Sequence, residues 1–147
     1  MPVRRYEPGD WNEWLRMNIA LFPGFSRDEG EAEMRACLAR SDAAVFVLER
    51  APGEPLAGYV EVGTRAYAEG CDTSPVGYIE AWYVDPDVRR GGYGRALLEA
   101  AEAWAREQGY SEIASDTLLD NHLSQAAHER SGYSEVERLV AYRKDLR

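Results

Sequence analysis

Val76-Gly77-Tyr78-Ile79-Glu80-Ala81-Trp82-Tyr83-Val84 runs through Asp85-Pro86 into Arg89-Arg90-Gly91-Gly92-Tyr93-Gly94, and from there into Arg95-Ala96-Leu97-Leu98. The first stretch is rich in β-branched and aromatic residues and reads as a strand. Asp85-Pro86 ends it, because the residue before proline is restricted in conformation and proline gives no backbone N–H to a ladder. Beyond the glycines, Ala96, Leu97, Ala100, Ala101 and Trp104 recur on one helical stripe, and Gly109 stands just past its end as a C-terminal cap. A strand feeding a Gly-rich turn and then a helix is a device for holding phosphate. Backbone N–H groups of the turn converge on the anion, and the helix N-terminus adds partial positive charge. Gly92 and Gly94 are the positions with no room for a side chain, while Arg89, Arg90 and Arg95 add charge around a diphosphate.

Upstream, residues 3–6 read as a short strand. Asp10 is expected to cap a helix carrying Trp11, Trp14, Leu15, Asn18 and Leu21, which Phe22-Pro23-Gly24 stops. Ser26-Arg27-Asp28-Glu29 has the form of a capping box, and Met34, Cys37 and Leu38 give the helix that follows an apolar face. Residues 43–49 and 56–64 read as antiparallel strands joined through Pro52-Gly53-Glu54-Pro55. Downstream come a strand at residues 112–115, a helix at 121–130 ending at Gly132, and a closing strand at 135–144 with Val136, Val140 and Tyr142 on one face. Antiparallel strands first and a strand–helix–strand crossover later predict an α+β fold. Its central sheet is mixed and mostly antiparallel, with helices on both faces, in a single domain over residues 1–147.

The totals exclude several classes. The sequence is 45% hydrophobic and 29% charged, which fits a folded globular chain rather than a disordered one. No apolar run has bilayer-spanning length and the N-terminus has no apolar signal core, so the expected location is the cytoplasm. Cys37 and Cys71 read as free thiols, with no metal-ligand spacing around either. A net charge of −9 argues against a nucleic-acid surface and agrees with a small cationic partner.

Three phosphate-loop patterns can be compared with residues 89–94. The nucleotide-hydrolase P-loop needs Gly-Lys-Ser/Thr, but Arg95 and Ala96 follow Gly94; the dinucleotide fingerprint needs G-x-G-x-x-G near the N-terminus. Neither is present. The remaining pattern, R-x-x-G-x-G through Arg89, Gly92 and Gly94, resembles the loop by which GNAT acetyltransferases bind coenzyme A. A second block resembles that family too: Asn121, then His128 seven residues on, then Gly132-Tyr133. His128 stands where many members carry a tyrosine that protonates the departing thiolate.

Acetyl transfer requires a neutral amine, whereas most biological amines are cationic, so the site must hold an ammonium and then accept its proton. Two carboxylates have suitable positions. Glu80 lies inside an apolar strand, where it either faces a cleft or is paired; Asp116 lies at the end of the next strand, as a site residue or a turn or capping aspartate.

Beyond this, Leu21-Phe22-Pro23-Gly24, Gly70-Cys71-Asp72-Thr73-Ser74-Pro75, Ala114-Ser115-Asp116-Thr117 and the blocks Glu137-Arg138 and Tyr142-Arg143-Lys144 resemble the aminoglycoside 6'-N-acetyltransferases. That resemblance implies transfer of acetyl from acetyl-CoA to the 6'-amine of these antibiotics. It implies an acceptor cleft lined by Tyr67, Glu80, Asp116 and Glu137, with Asp116 and Glu80 as the catalytic carboxylates. Phe22 and Phe25 would form its lid, standing where the family often has Trp and His. For the donor it implies Ala81, Trp82, Tyr83 and Val84 on the pantetheine arm, Arg89, Arg90, Gly91, Gly92, Tyr93 and Gly94 on the pyrophosphate, and Asn121 on the CoA. It also implies a homodimer, with the C-terminal strand as a candidate contact. Two other readings remain: a GNAT enzyme for another small amine or a peptide N-terminus, and a non-catalytic acetyl-CoA-binding module.

Overall fold

In the computed structural model, which describes residues 1–147, the stretch Val76–Val84 is a strand with those bounds, and a helix starts at Tyr93. Two compact units are distinguished, Met1–Asp116 and Thr117–Arg147.

The first unit holds strands β1 (Val3–Arg5), β2 (Ala44–Leu48), β3 (Gly58–Arg65), β4 (Val76–Val84) and β5 (Ile113–Ser115), in that spatial order. The first four pair antiparallel in succession, and β5 joins β4 in parallel. Helices α1 (Trp11–Leu21) and α2 (Arg27–Ala39) precede β2, and α3 (Tyr93–Glu107) makes the crossover from β4 to β5. The mixed, mostly antiparallel sheet expected from the sequence is therefore present.

Side-chain alternation assigns the two sheet faces. Val45 and Val47 of β2 and Tyr59 of β3 pack with Trp14, Leu15 and Met17 of α1 and Met34 and Cys37 of α2. On the other face a Cβ at Gly58 would meet Leu97 of α3 at 3.3 Å, and one at Gly77 would meet Ala105 at 3.0 Å. Leu97, Leu98, Ala101 and Trp104 are buried, and full burial of a leucine such as Leu97 contributes about 2 kcal/mol. Helix α3 ends as its sequence predicts. Gly109 is left-handed at φ +89°, its N–H donates to the Arg106 carbonyl, and the Tyr110 N–H donates back to Ala105.

One irregularity organises the middle of the sheet. Glu61 pairs with Ala81, yet the next residue, Val62, pairs with Ile79, so Glu80 is an extra residue in β4. A bulge of this kind reverses the alternation beyond it. Gly77 accordingly faces α3, and so does Trp82, whose indole Nε1–H donates to the Gly94 carbonyl at 3.0 Å. Without the bulge those two residues would face opposite sides.

Several expectations are corrected. Asp10 precedes α1 but does not cap it: its carboxylate accepts from Arg4 at 2.8 and 2.9 Å and from the Glu7 N–H at 2.8 Å. A two-pronged guanidinium outcompetes a single helix N–H for the same oxygens. Ser26 does cap α2, accepting from the Glu29 N–H at 3.1 Å. The connection from β2 to β3 is longer than a tight turn, spanning residues 49–57, and its Arg50 is used elsewhere.

In the second unit, α4 (His122–Arg130) is capped by Asn121, whose side-chain oxygen accepts from the Ser124 N–H at 3.1 Å. The strand expected at residues 135–144 is not formed. Alternation supplies an apolar face, but a strand also needs a neighbour for its ladder, and the sheet order ends at β5. Val136 and Val140 are exposed, Tyr142 is 91% exposed, and the side-chain contacts there are local, such as Arg138 with Glu135.

Candidate active site

Two features of the first unit bring chemistry-bearing groups together, both on β4. The first is the turn into α3. Gly92 occupies the N-cap position at φ +82°, a left-handed conformation, and has no side chain with which to cap the helix. The first N–H groups of α3 therefore have no intrahelical acceptor and point out of its N-terminus, the arrangement that receives phosphate oxygens. Arg90 also has positive φ, at 69°. Positive φ at Arg90 and again at Gly92, on either side of Gly91, bends this turn so that its backbone amides can converge on an anion. Gly94 has no room for a side chain because a Cβ there would lie 3.1 Å from Trp82 Cζ2, and one at Gly91 would lie 2.6 Å from the Tyr93 ring. At Gly92 there is open space, so the requirement is the backbone conformation instead. These residues fit a diphosphate held by backbone groups.

Arg89 is not simply a free surface charge. Its Nε–H donates to the Val84 carbonyl at 2.9 Å, folding the loop back on the strand. The loop is anchored again at Asp85, which accepts from both Nη atoms of Arg16 on α1 and from Arg50 at 3.3 Å. Burial would push the Asp85 carboxyl up, but the Arg16 guanidinium and its neighbours hold it below the usual carboxylate range.

The second feature is the opening between β4 and β5. Their ladder ends at Ile79 paired with Ser115, so from Glu80 onward β4 is held in the sheet through β3 alone. Glu80 and Asp116 flank this opening. Glu80 accepts from Arg65 Nε at 2.9 Å and Arg65 Nη2 at 2.8 Å, and the same guanidinium lies 3.5 Å from the centroid of the Tyr78 ring. The Tyr78 hydroxyl donates to Asp116. Burial, then the hydrogen bond to Asp116, push the Tyr78 phenol up, so it stays a donor at neutral pH. The two carboxylates singled out in the sequence are thus joined through Arg65 and Tyr78.

Other predicted residues are distributed as follows. Tyr67 follows β3 and is 68% exposed. Phe22 and Phe25 make an edge-on ring contact at 5.9 Å just beyond α1. Ala81 is in the core beneath α1, and Tyr83 packs against that cluster with its ring 6.4 Å from that of Tyr59. In the second unit Asn121 is the cap of α4, and Glu137 is in the exposed segment beyond that helix. His128 Nδ1 donates to the Ser124 carbonyl at 2.7 Å, which fixes the proton on that nitrogen when the ring is neutral.

Three residues of the site were not singled out in the sequence: Arg65, Tyr78 and Glu61. Glu61 carried the same signal as Glu80, a charge inside an apolar strand. Burial, with Glu80 and Glu33 nearby, raises its carboxyl to about 7, and the Cys37 thiol beside it is pushed up to about 12, first by burial and then by Glu61. Cys37 is therefore a protonated core thiol and not a nucleophile.

A sequence profile of the acetyltransferase (GNAT) family matches residues 11–133. The aminoglycoside N(6')-acetyltransferase type 1 of Stenotrophomonas maltophilia is 39% identical over 145 residues, covering 98% of this chain and 93% of that protein. That of Klebsiella aerogenes is 41% identical over 147 residues, covering 98% and 96%. Among solved structures, the aminoglycoside antibiotic 6'-N-acetyltransferase AAC(6')-IG from Acinetobacter haemolyticus superimposes with a TM-score of 0.92 at 31% identity, covering 100% of both chains. AAC(6')-Iy in complex with the bisubstrate analog CoA-S-monomethyl-acetylneamine gives 0.90 at 30% identity, covering 98% of this chain and 97% of that one. With the diphosphate turn at the head of α3 and the family match extending through both units, the chain belongs to the acetyltransferase (GNAT) family.

Proposed function

We propose that this protein is an aminoglycoside 6'-N-acetyltransferase, a single acetyltransferase domain over residues 1–147 that moves acetyl from acetyl-CoA to the 6'-amine of aminoglycoside antibiotics and so confers resistance. The observation that carries the reading is the pair Glu80 and Asp116 beside the β4–β5 opening, Glu80 on the strand that leads into the diphosphate turn and Asp116 just past β5. Family members 39% and 41% identical over nearly the whole chain are named for this reaction.

Acetyl-CoA supplies an activated thioester acyl group. Residues 89–94 hold its pyrophosphate by backbone amides, and Ala81, Trp82, Tyr83 and Val84 run along the pantetheine arm. A backbone N–H of this strand segment faces the thioester carbonyl oxygen and stabilises the charge that develops there. Asp116, oriented by the Tyr78 hydroxyl, accepts the proton of the 6'-ammonium, while Glu80 holds ammonium charge. The freed amine forms the C–N bond as the C–S bond breaks; the second nitrogen proton passes to the departing sulfur, CoA leaves as its thiol, and there is no covalent enzyme intermediate. Tyr67, Phe22 and Phe25 contact the sugar rings. Sequence resemblance alone assigns Glu137 to the acceptor and Asn121 to the CoA.

An overall charge of −9 favours a polycationic small molecule over nucleic acid as partner. The exposed apolar side chains Val136, Leu139, Val140 and Tyr142 support a homodimer formed through the C-terminal segment. The cytoplasm is the proposed location, a compartment that keeps Cys37 and Cys71 as thiols. No helix is long and apolar enough to cross a membrane.

The test is thiol release from acetyl-CoA with kanamycin-type aminoglycosides carrying a 6'-amine, compared with analogues carrying a 6'-hydroxyl. Turnover confined to the 6'-amine supports the assignment. Acetyl-CoA binding without turnover of either, or an Asp116→Asn variant as fast as wild type, refutes it.

A further inference from the structure

The acceptor side of the site already contains a cation. Both oxygens of Glu80 are taken by the Arg65 guanidinium, at 2.9 and 2.8 Å. An ammonium arriving at Glu80 meets a carboxylate whose charge is already matched. We propose that Arg65 is a specificity-determining residue: a built-in counter-cation that occupies Glu80 in the free enzyme and is exchanged for an ammonium group of a polycationic acceptor.

Three observations make the exchange physically reasonable. The pair is accessible, with 43% of the Arg65 side chain and 25% of the Glu80 side chain exposed. Ion pairs this exposed hold weakly, so a competing ammonium needs no large driving force to displace one partner. Second, Arg65 has a resting place that does not depend on Glu80, because its guanidinium lies 3.5 Å from the Tyr78 ring centroid. It can release the carboxylate without leaving the site. Third, the bulge places Glu80 as the extra residue of β4, next to the point where the β5 ladder stops, so an incoming group reaches it from the open side.

The exchange sorts acceptors by their number of charges. An amine with one ammonium must present it to Asp116 to react, which leaves Arg65 on Glu80. An acceptor with further ammonium groups satisfies Asp116 and displaces Arg65 together. In the occupied state Glu80 and Arg65 have exchanged partners, the carboxylate taking the ligand and the guanidinium keeping the Tyr78 face.

The inference rests on the aminoglycoside reading, and it is tested by binding so that the two can fail separately. Calorimetry of kanamycin with the acetyl-CoA-saturated protein would compare wild type, Arg65→Met, Glu80→Gln and the double variant. Methionine keeps an apolar contact on the Tyr78 ring while removing the charge. Arg65→Met is expected to tighten kanamycin binding by about two- to fivefold, the range that loss of one exposed competing pair allows. In the Glu80→Gln background the same substitution should change affinity less than twofold by the double-mutant-cycle criterion. The gain should also be absent for 6-amino-6-deoxyglucose, which carries one ammonium. Arg65→Lys keeps the charge without the fork and should fall between; it carries the test if the methionine variant melts early. Weaker or unchanged kanamycin binding, an equal gain in the Glu80→Gln background, an equal gain for the monoamine, or no kanamycin binding by any variant would overturn the proposal. Absence of turnover by wild type with binding intact would count against the proposed reaction and leave the Arg65 result to stand or fall on its own affinities.

Discussion

Asp85 accepts both Nη atoms of Arg16, at 3.0 and 3.1 Å, so the residue that closes β4 is fastened to α1 just before the diphosphate turn begins. The carboxylate is buried and the guanidinium is partly open to solvent, an asymmetry that decides what its removal does. Asp85→Ala leaves Arg16 solvated but takes the anchor from Arg50 as well, and is expected to cost about 1–3 kcal/mol. The folded carboxyl sits below its ordinary range, so this stabilisation is present at neutral pH and is lost as the pH falls through the acid range. Thermal unfolding at pH 7 and at pH 4 checks both parts: a large difference between variant and wild type at the first, a smaller one at the second.

Glu61 gives the opposite pH dependence. Its carboxyl rises from the ordinary 4.5 to about 7 in the folded chain. Between those values the folded state holds a proton that the unfolded state has released, so this residue's contribution declines as pH rises through the window. Glu61→Gln should flatten the slope and leave the protein more stable at pH 8 by about 1–3 kcal/mol, with little change at pH 4. Denaturant unfolding at the two pH values measures this. An unchanged slope would show that Glu61 is ionised in the folded protein at neutral pH.

Gly92 and Gly94 should fail for different reasons when replaced. Gly92→Ala has space but must hold φ at +82°, which costs about 1–2 kcal/mol and disfavours the turn that aims the amides. Gly94→Ala meets Trp82 at 3.1 Å and has to move the indole that donates to its own carbonyl. Acetyl-CoA affinity should fall about tenfold in the first, the cost of a strained residue at a ligand turn. A Trp82→Phe background should relieve the second and not the first, as read by calorimetry with coenzyme A.

Tyr78→Phe removes the one hydroxyl that orients Asp116 and leaves the ring under Arg65 in place. Misdirection of a proton acceptor is expected to lower kcat about tenfold or more with little effect on KM for acetyl-CoA. Steady-state kinetics with saturating kanamycin decides it, and a variant with unchanged kcat would remove Tyr78 from the acceptor side.

Much of this fold was legible in order. Strand Val76–Val84, the helix after Gly92 and the capping box at Ser26 follow from local rules, and each is where the residues put it. Val136, Val140 and Tyr142 show the limit of such rules, since alternation defines a face but not the neighbour that would pair with it. Glu80 was readable as a charge out of place in an apolar strand. Arg65 was not, because it stands at the end of β3 where a charge is ordinary, and only the register of β3 on β4 brings it over Tyr78. Glu61 shared the visible anomaly of Glu80 and could have been found by the same test.

The extra residue at Glu80 also constrains how this strand can change. Residues before it and after it are out of phase by one, so pairing Glu80 into the regular ladder, with no residue removed, would turn one half of the strand over. Either Trp82 would lose Gly94 or Gly77 would swing away from Ala105. The two ends of β4 are therefore written in two reading frames of one strand. Deleting Glu80 outright would instead leave Gly77 and Trp82 on the face they now share, so the strand can lose this residue's length more easily than it can regularise it.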